Sequence, residues 1–213
     1  MNLVQPLPQS FTQTEKDGLT RRLNWCFLVR MTQSGEESNN NPFSLRRQLE
    51  LTRYERALTV SESMADHRVL LTTTELARLN NILTGKDEDP WRQGAVTIKL
   101  PSGKMETLAI VADPKLTARE KLHRATDDSE GGNVLDAAVD VYVGFVMAHV
   151  FKDANRRTAV LAAHYFLKRY GVPISGLALH EIGLGDLREP GQIEELHNTI
   201  KQMAKFVTKR NGV

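Results

Sequence analysis

Two stretches of apolar residues recur at the three-to-four spacing of a helix face, and a polar loop divides them. The first runs through Leu135, Ala138, Val139, Tyr142, Phe145 and Val146, with His149 continuing the series at the helix end. The second runs through Ala159, Ala162, Ala163, Phe166 and Tyr170, until Gly171 supplies a C′ signal and Pro173 stops it. Upstream, a charged helix is expected from Ser44, with Leu45, Leu49 and Leu58 on one side and Arg46, Arg47, Arg53 and Arg56 on the other. That basic side reads as solvated. Thr72 with Glu75 makes a capping box for a further helix, which turns Leu76, Leu79, Ile82 and Leu83 inward and closes at Gly85.

The period then changes to two. Ala95 to Leu100 alternates as a strand, Pro101 to Lys104 is turn chemistry, and Met105 to Val111 returns, so a β-hairpin is expected. Thr117 with Glu120 is a second capping box and predicts a short helix, followed by an acidic loop over Thr126 to Gly131. Leu177 to Leu187 is short and Gly-punctuated, Pro190-Gly191 is a turn, and Ile193, Leu196, Ile200, Met203 and Val207 define a closing amphipathic helix. The pattern as a whole is all-α with one small β-hairpin.

Ser34 to Pro42 is the clearest linker, so the chain divides into an N-terminal appendage and linker, residues 1–41, and a domain over 42–213. In the appendage Leu19, Leu23, Phe27 and Met31 are spaced at four, although Trp25 to Val29 reads equally as a strand. A length of 213 residues suits one domain with an appendage. A net charge of +2 points to neither wholesale disorder nor a general nucleic-acid binder. Cys26 is alone, which excludes an intramolecular disulfide and suggests a reducing compartment. No apolar run is long enough to span a bilayer and no secretory leader is evident, so the expectation is a soluble protein, cytoplasmic where made, with export by a dedicated machine left open.

The chemistry concentrates in the loop between the two apolar helices, from His149 through Lys152, Asp153, Ala154, Asn155, Arg156 and Arg157. Backbone N–H groups at a helix N-terminus form an anion site reinforced by the helix dipole. Asn155 is expected as the N-cap. His149 can take a proton near neutral pH, Asp153 offers a hard oxygen to Mg²⁺, Arg157 can grip phosphate bidentately, and Phe151 reads as an apolar anchor. Taken singly, each has a bland explanation as core histidine, turn or solvated arginine; together they do not. The remaining histidines, His67, His123, His164, His180 and His197, have no ligand-like spacing.

His-x-Phe-x-Asp-x-Asn-x-Arg over His149 to Arg157 resembles the signature of the Fic/Doc (Fido) family, and Asp-Ala-Asn-Arg-Arg-Thr-Ala is similar to its Doc branch. The resemblance covers about Leu76 to Phe206 and implies a Fido-type helical bundle with a β-hairpin flap. It implies transfer of a phosphate-containing group from ATP or another nucleotide, with Mg²⁺, to a Ser, Thr or Tyr hydroxyl of a target protein. In that reading His149 is the general base, Asp153 holds the metal, and Ala154, Asn155, Arg156 and Arg157 bind the phosphates. The hairpin, at Val96, Thr97 and Ile98, holds an extended target segment by β-augmentation, with Arg92 in the loop before it. An antitoxin or similar inhibitory partner is also implied. Thr126 to Gly131 matches the family's inhibitory pattern formally, but that pattern is degenerate and the acidic-loop reading is preferred.

Departures from the AMP-transferring pattern favour phosphate transfer. Ala154 replaces its Gly, Arg156 its small residue, and Val160 its second Arg. Arg156 would fill nucleotide space and Val160 cannot grip a second phosphate, although Arg156 swinging out in place of the missing arginine is an alternative. A rival of another class is a non-catalytic module that sequesters a partner or contacts DNA through Arg156, Arg157, Lys168 and Arg169.

Overall fold

The computed structural model describes residues 42–100, 102–182 and 186–210. The expected appendage and linker, with Cys26 and the Leu19 to Met31 stripe, lie outside the described residues, as do Pro101, Gly183 and Gly185. The elements in order are α1 (Pro42–Asp66), α2 (Thr73–Thr84), β1 (Val96–Lys99), β2 (Met105–Leu108), α3 (Pro114–Glu130), α4 (Val134–Ala148), α5 (Asn155–Arg169), α6 (Gly176–Glu181) and α7 (Gln192–Arg210). The expected architecture, a helical bundle with one small antiparallel hairpin, is the one found. None of the described helices is long and apolar enough to cross a membrane.

The bundle is built around α5. Every residue from Thr158 to Leu167 is buried, so its apolar face is not a stripe but the whole circumference, as expected of a helix enclosed by others. Ala159, Ala162 and Ala163 keep it slim, and α1, α2, α4 and α6 pack around it. Gly171, at φ 77°, ends the helix as expected, and the Val172 N–H reaches back 2.8 Å to the Leu167 carbonyl. Helix α4 is shared between α5, α3 and α7, and α7 contributes Leu196 and Ile200 to the interior, whereas Ile193 is exposed.

Three local expectations need correction. Leu45 and Leu49 are about half exposed, because the buried positions of α1 begin at Tyr54 and no described element covers the turns before it. Helix α3 starts at Asp113, whose Oδ1 accepts the Leu116 N–H at 2.9 Å with Pro114 in the first turn, and not at Thr117. It is also long: with no breaker before Gly131, and with Ala118, Leu122, Ala125 and Ser129 on its buried side, Thr126 to Glu130 is its last stretch and not a loop. In α2 the capping box forms by half. Thr72 Oγ1 accepts from the Glu75 N–H at 3.3 Å, while the Glu75 carboxylate turns to Arg78.

The hairpin pairs Val96 with Leu108, Thr97 with Thr107, Ile98 with Glu106 and Lys99 with Met105. Val96, Ile98, Glu106 and Leu108 form its half-buried face, and neither strand packs extensively on a helix.

Two histidines are held inside. His164 donates from Nε2 to the Ile174 carbonyl at 3.0 Å, and burial pulls its pKa below the usual 6.5 even with Glu62 at 3.8 Å. His180 stacks on Tyr54 at 4.0 Å, and burial followed by the charges of Arg156 and Arg157 takes it down to about 4. Between the folded and unfolded values only the unfolded chain binds these protons, so stability rises with pH through that window and falls as pH drops below about 6.5. The urea midpoint should therefore fall from pH 7 to pH 5, and His180→Phe, which keeps the stacked ring, should flatten the decline. A midpoint indifferent to pH in this range contradicts neutral burial.

Candidate active site

The site begins where α4 stops. His149 takes the left-handed conformation, φ 45°, and its N–H closes the helix on the Phe145 carbonyl. Its ring Nδ1–H donates to the Val146 carbonyl at 2.7 Å, which fixes the tautomer and leaves Nε2 as a lone-pair acceptor. Burial is the largest influence on the imidazole and lowers its pKa; the Val146 bond opposes this, and the charges of Arg92 and Arg188 lower it further. The ring is thus neutral at neutral pH.

Val150 and Phe151 are fully buried. Phe151 stacks on Trp91 at 4.7 Å, and the two residues form a β-bridge. The Arg92 N–H donates to the Val150 carbonyl and the Lys152 N–H to that of Pro90, each at 2.9 Å. The expected anchor role of Phe151 holds, and the segment before the hairpin is zipped to the segment after His149.

Asn155 is not the N-cap. That position belongs to Ala154, left-handed at φ 56° and without a side-chain cap, and Asn155 is the first residue of α5. The Asn155 carboxamide instead turns back on the loop: Oδ1 accepts the Phe151 N–H and Nδ2 donates to the Phe151 carbonyl, both at 2.9 Å. Asn80 of α2 donates from Nδ2 to the Asp153 carbonyl and to Thr158 Oγ1, again at 2.9 Å. Since no side chain caps α5, its first-turn N–H groups are left as donors, which with the helix dipole is an arrangement suited to an anion.

Around this N-terminus, Asp153 Oδ1 accepts the Ala154 N–H, and its side chain is 65% exposed. Arg157 lies between two carboxylates, 4.0 Å from Asp153 and 4.0 Å from Glu50. Arg156 points elsewhere: Nη2 donates to the Ile182 carbonyl at 2.5 Å, and the guanidinium opposes the rise in the Tyr142 pKa that burial causes. Val160 is buried and, with Tyr142, Ala163, Leu179, Ile182, Leu196 and Ile200, lines a small apolar cavity. Among the described residues no cluster of three or more His, Cys, Asp or Glu could hold a metal. One exposed carboxylate beside an uncapped helix N-terminus nevertheless fits the usual mode of Mg²⁺, which takes one or two carboxylates plus substrate phosphates.

His149, Asp153, Arg157 and the α5 N-terminus are thus gathered at one loop, and Val96 to Ile98 sit on the hairpin joined to it through residues 90–92. The positioning residues Asn80, Trp91, Tyr142 and Arg188 are not among the sequence-derived candidates. Asn80 had a readable signal, a carboxamide within the Leu76, Leu79, Leu83 stripe. No hydrogen bond or ion pair joins Thr126 to Gly131 to the loop among the described residues.

Residues 70–167 match the model of the Fic/DOC family. The fold is similar to that of a Fic domain containing signaling protein from Bacteroides thetaiotaomicron, with a TM-score of 0.57 and 22% identity over 82% of this chain and 74% of that one. No curated protein matches. The matched stretch takes in α2, the hairpin, α3, α4, the His149 to Arg157 loop and nearly all of α5. Loop, fold and match agree: residues 70–167 of this chain are similar to the Fic/DOC family, and the fold is that of a Fic domain.

Proposed function

We propose that this protein transfers phosphate from a nucleotide to a Ser, Thr or Tyr hydroxyl of a target protein. Domains of this family are transferases that use nucleotide substrates and act on a target. The observation that carries the reading is the pairing of a tautomer-locked, neutral His149 with an uncapped helix N-terminus across one rigid loop. His149 Nε2 accepts the hydroxyl proton as the new O–P bond forms, and the P–O bond to the nucleoside diphosphate breaks. The first-turn N–H groups of α5 and Arg157 stabilise charge on the equatorial oxygens. Asp153 would hold Mg²⁺ together with phosphate oxygens, and the ion would neutralise charge on the transferred group and the leaving diphosphate. Along β1 the target adds as an extended strand at Val96, Thr97 and Ile98, placing its hydroxyl near His149.

Phosphate is favoured over AMP by the surroundings of α5. AMP transfer needs the remaining phosphates held downstream, where Val160 offers only apolar lining. Arg156 does not substitute, because its guanidinium is bound to the Ile182 carbonyl. Reversing the nucleotide puts the γ-phosphate at the loop, where Arg157 and the helix N-terminus suffice.

His149→Ala should lower the transfer rate on the order of 10²-fold or more while leaving the far-UV spectrum unchanged; parent-like turnover excludes the base role. In the parent, kcat/KM should fall as acidification protonates the base, with the midpoint below 6.5 since burial lowers the pKa of His149. A midpoint above 6.5 contradicts that. Asp153→Ala should weaken Mg²⁺–ATP binding in calorimetry, and an unchanged titration removes its metal role. ATP labelled at the α- or the γ-phosphate decides the group: γ-label on the target is expected, and α-label there establishes AMP transfer instead.

A further inference from the structure

The hairpin stands off the bundle. Neither β1 nor β2 packs extensively on a helix, so its placement needs another cause. Two arginines from different parts of the chain reach it. From below, Arg92 is 3% exposed; its N–H bonds the Val150 carbonyl at 2.9 Å and its Nη2 bonds the Ala109 carbonyl, just past β2, at 2.6 Å. Among the described residues Nε and Nη1 of the same guanidinium have no hydrogen-bond partner, so the Ala109 bond is the one bond its side chain makes there. From across the site, Arg188 lies between α6 and α7. Its Nε and Nη2 are held by Asp186 at 2.9 and 3.1 Å, and its Nη1 pairs with Glu106 of β2. Glu106 is directly opposite Ile98 and lies on the half-buried face of the hairpin.

We propose that Arg92 and Arg188 are positioning residues that fix the height and tilt of the hairpin over His149, Arg92 as a buried hinge and Arg188 as an exchangeable latch. The two attachments differ in kind. Arg92 bonds two backbone carbonyls under cover, so releasing it leaves buried polar groups unpaired. Arg188 and Glu106 are about one third exposed, where an ion pair is weak and screened by salt. Asp186 pre-orients the Arg188 fork, so the pair can open and reclose without reordering the side chain. The latch therefore lets the outer part of the hairpin lift for an incoming strand while the hinge keeps the β2 end in place.

The consequence for target binding rests on the proposed transfer reaction; the attachment of the hairpin does not. Brief-labelling hydrogen exchange by mass spectrometry should show amides of 96–108 exchanging about two- to five-fold faster in Glu106→Gln and in Arg188→Gln. The double variant should be no faster than the faster single one, and Arg188→Lys should fall between parent and Arg188→Gln. Added salt should speed the parent and leave Glu106→Gln unmoved. Arg92→Lys keeps the charge but not the reach to Ala109 and should loosen the β2 end, residues 105–110, most. With a target, the latch variants should raise KM by more than they lower kcat. Parent-like exchange in both latch singles overturns the latch, and parent-like exchange at 105–110 in Arg92→Lys overturns the hinge. Should the exchange respond as stated and no nucleotide label reach any target, the attachments stand and the transfer reading falls.

Discussion

One carboxamide closes the loop on which the site depends. Asn155 uses both its oxygen and its nitrogen on the backbone of Phe151, four residues earlier, so the chain between them is a ring locked by two buried hydrogen bonds. The ring is needed because its flanks are unfavourable: His149 and Ala154 both sit at positive φ without being glycine, at about 1–2 kcal/mol each. Two hydrogen bonds at about 1 kcal/mol each and burial of Phe151 at roughly 2 kcal/mol offset that. The strain therefore persists only while Phe151 remains covered, and Trp91 covers it.

The same loop could not be rigid on a surface helix. Because α5 is enclosed on all sides, its N-terminus is aimed by the packing of α1, α2 and α4, and Asn80 ties the loop to α2 through the Asp153 carbonyl and Thr158. Backbone amides held this way need no reorganisation to meet negative charge, which is where preorganised donors gain most. The hairpin is the reverse case. It carries few buried contacts, so its order depends on polar attachments at Ala109 and Glu106.

The sequence was most legible where one residue type suffices for a local task. Thr72 and Gly85 bound α2, Gly171 ends α5, and the alternation around Pro101 to Lys104 marks a hairpin, because each of these depends on neighbours a few residues away. Legibility failed where distant elements decide. Leu45 and Leu49 have a helical period but nothing described to cover them, and Asp113 outcompeted Thr117 as a cap because Pro114 already suits the first turn. Asn155 has the composition of an N-cap, yet Phe151 lies in reach, and a buried backbone pair claims a carboxamide more strongly than a solvated helix end does. Trp91 and Arg188 reach the site across separations of tens of residues, which no period or spacing reveals, and Arg92 was marked only by the resemblance.

The cations at this site act on more than one element at once. Arg92 and Arg188 bond the hairpin, and both push His149 towards its neutral form, adding to the effect of burial. Burial and these charges keep the imidazole neutral against the opposing pull of the Val146 bond, while that bond holds Nδ1–H and leaves Nε2 open. Arg156 is turned away from the loop by the Ile182 carbonyl, and Val160 adds no charge, so the positive charge on α5 facing the loop is concentrated in Arg157 and the helix end. An anion at the helix end would meet Arg157 and the first-turn amides, whereas a charged group placed further along α5 would meet the apolar lining of Val160 and lose its hydration without a partner.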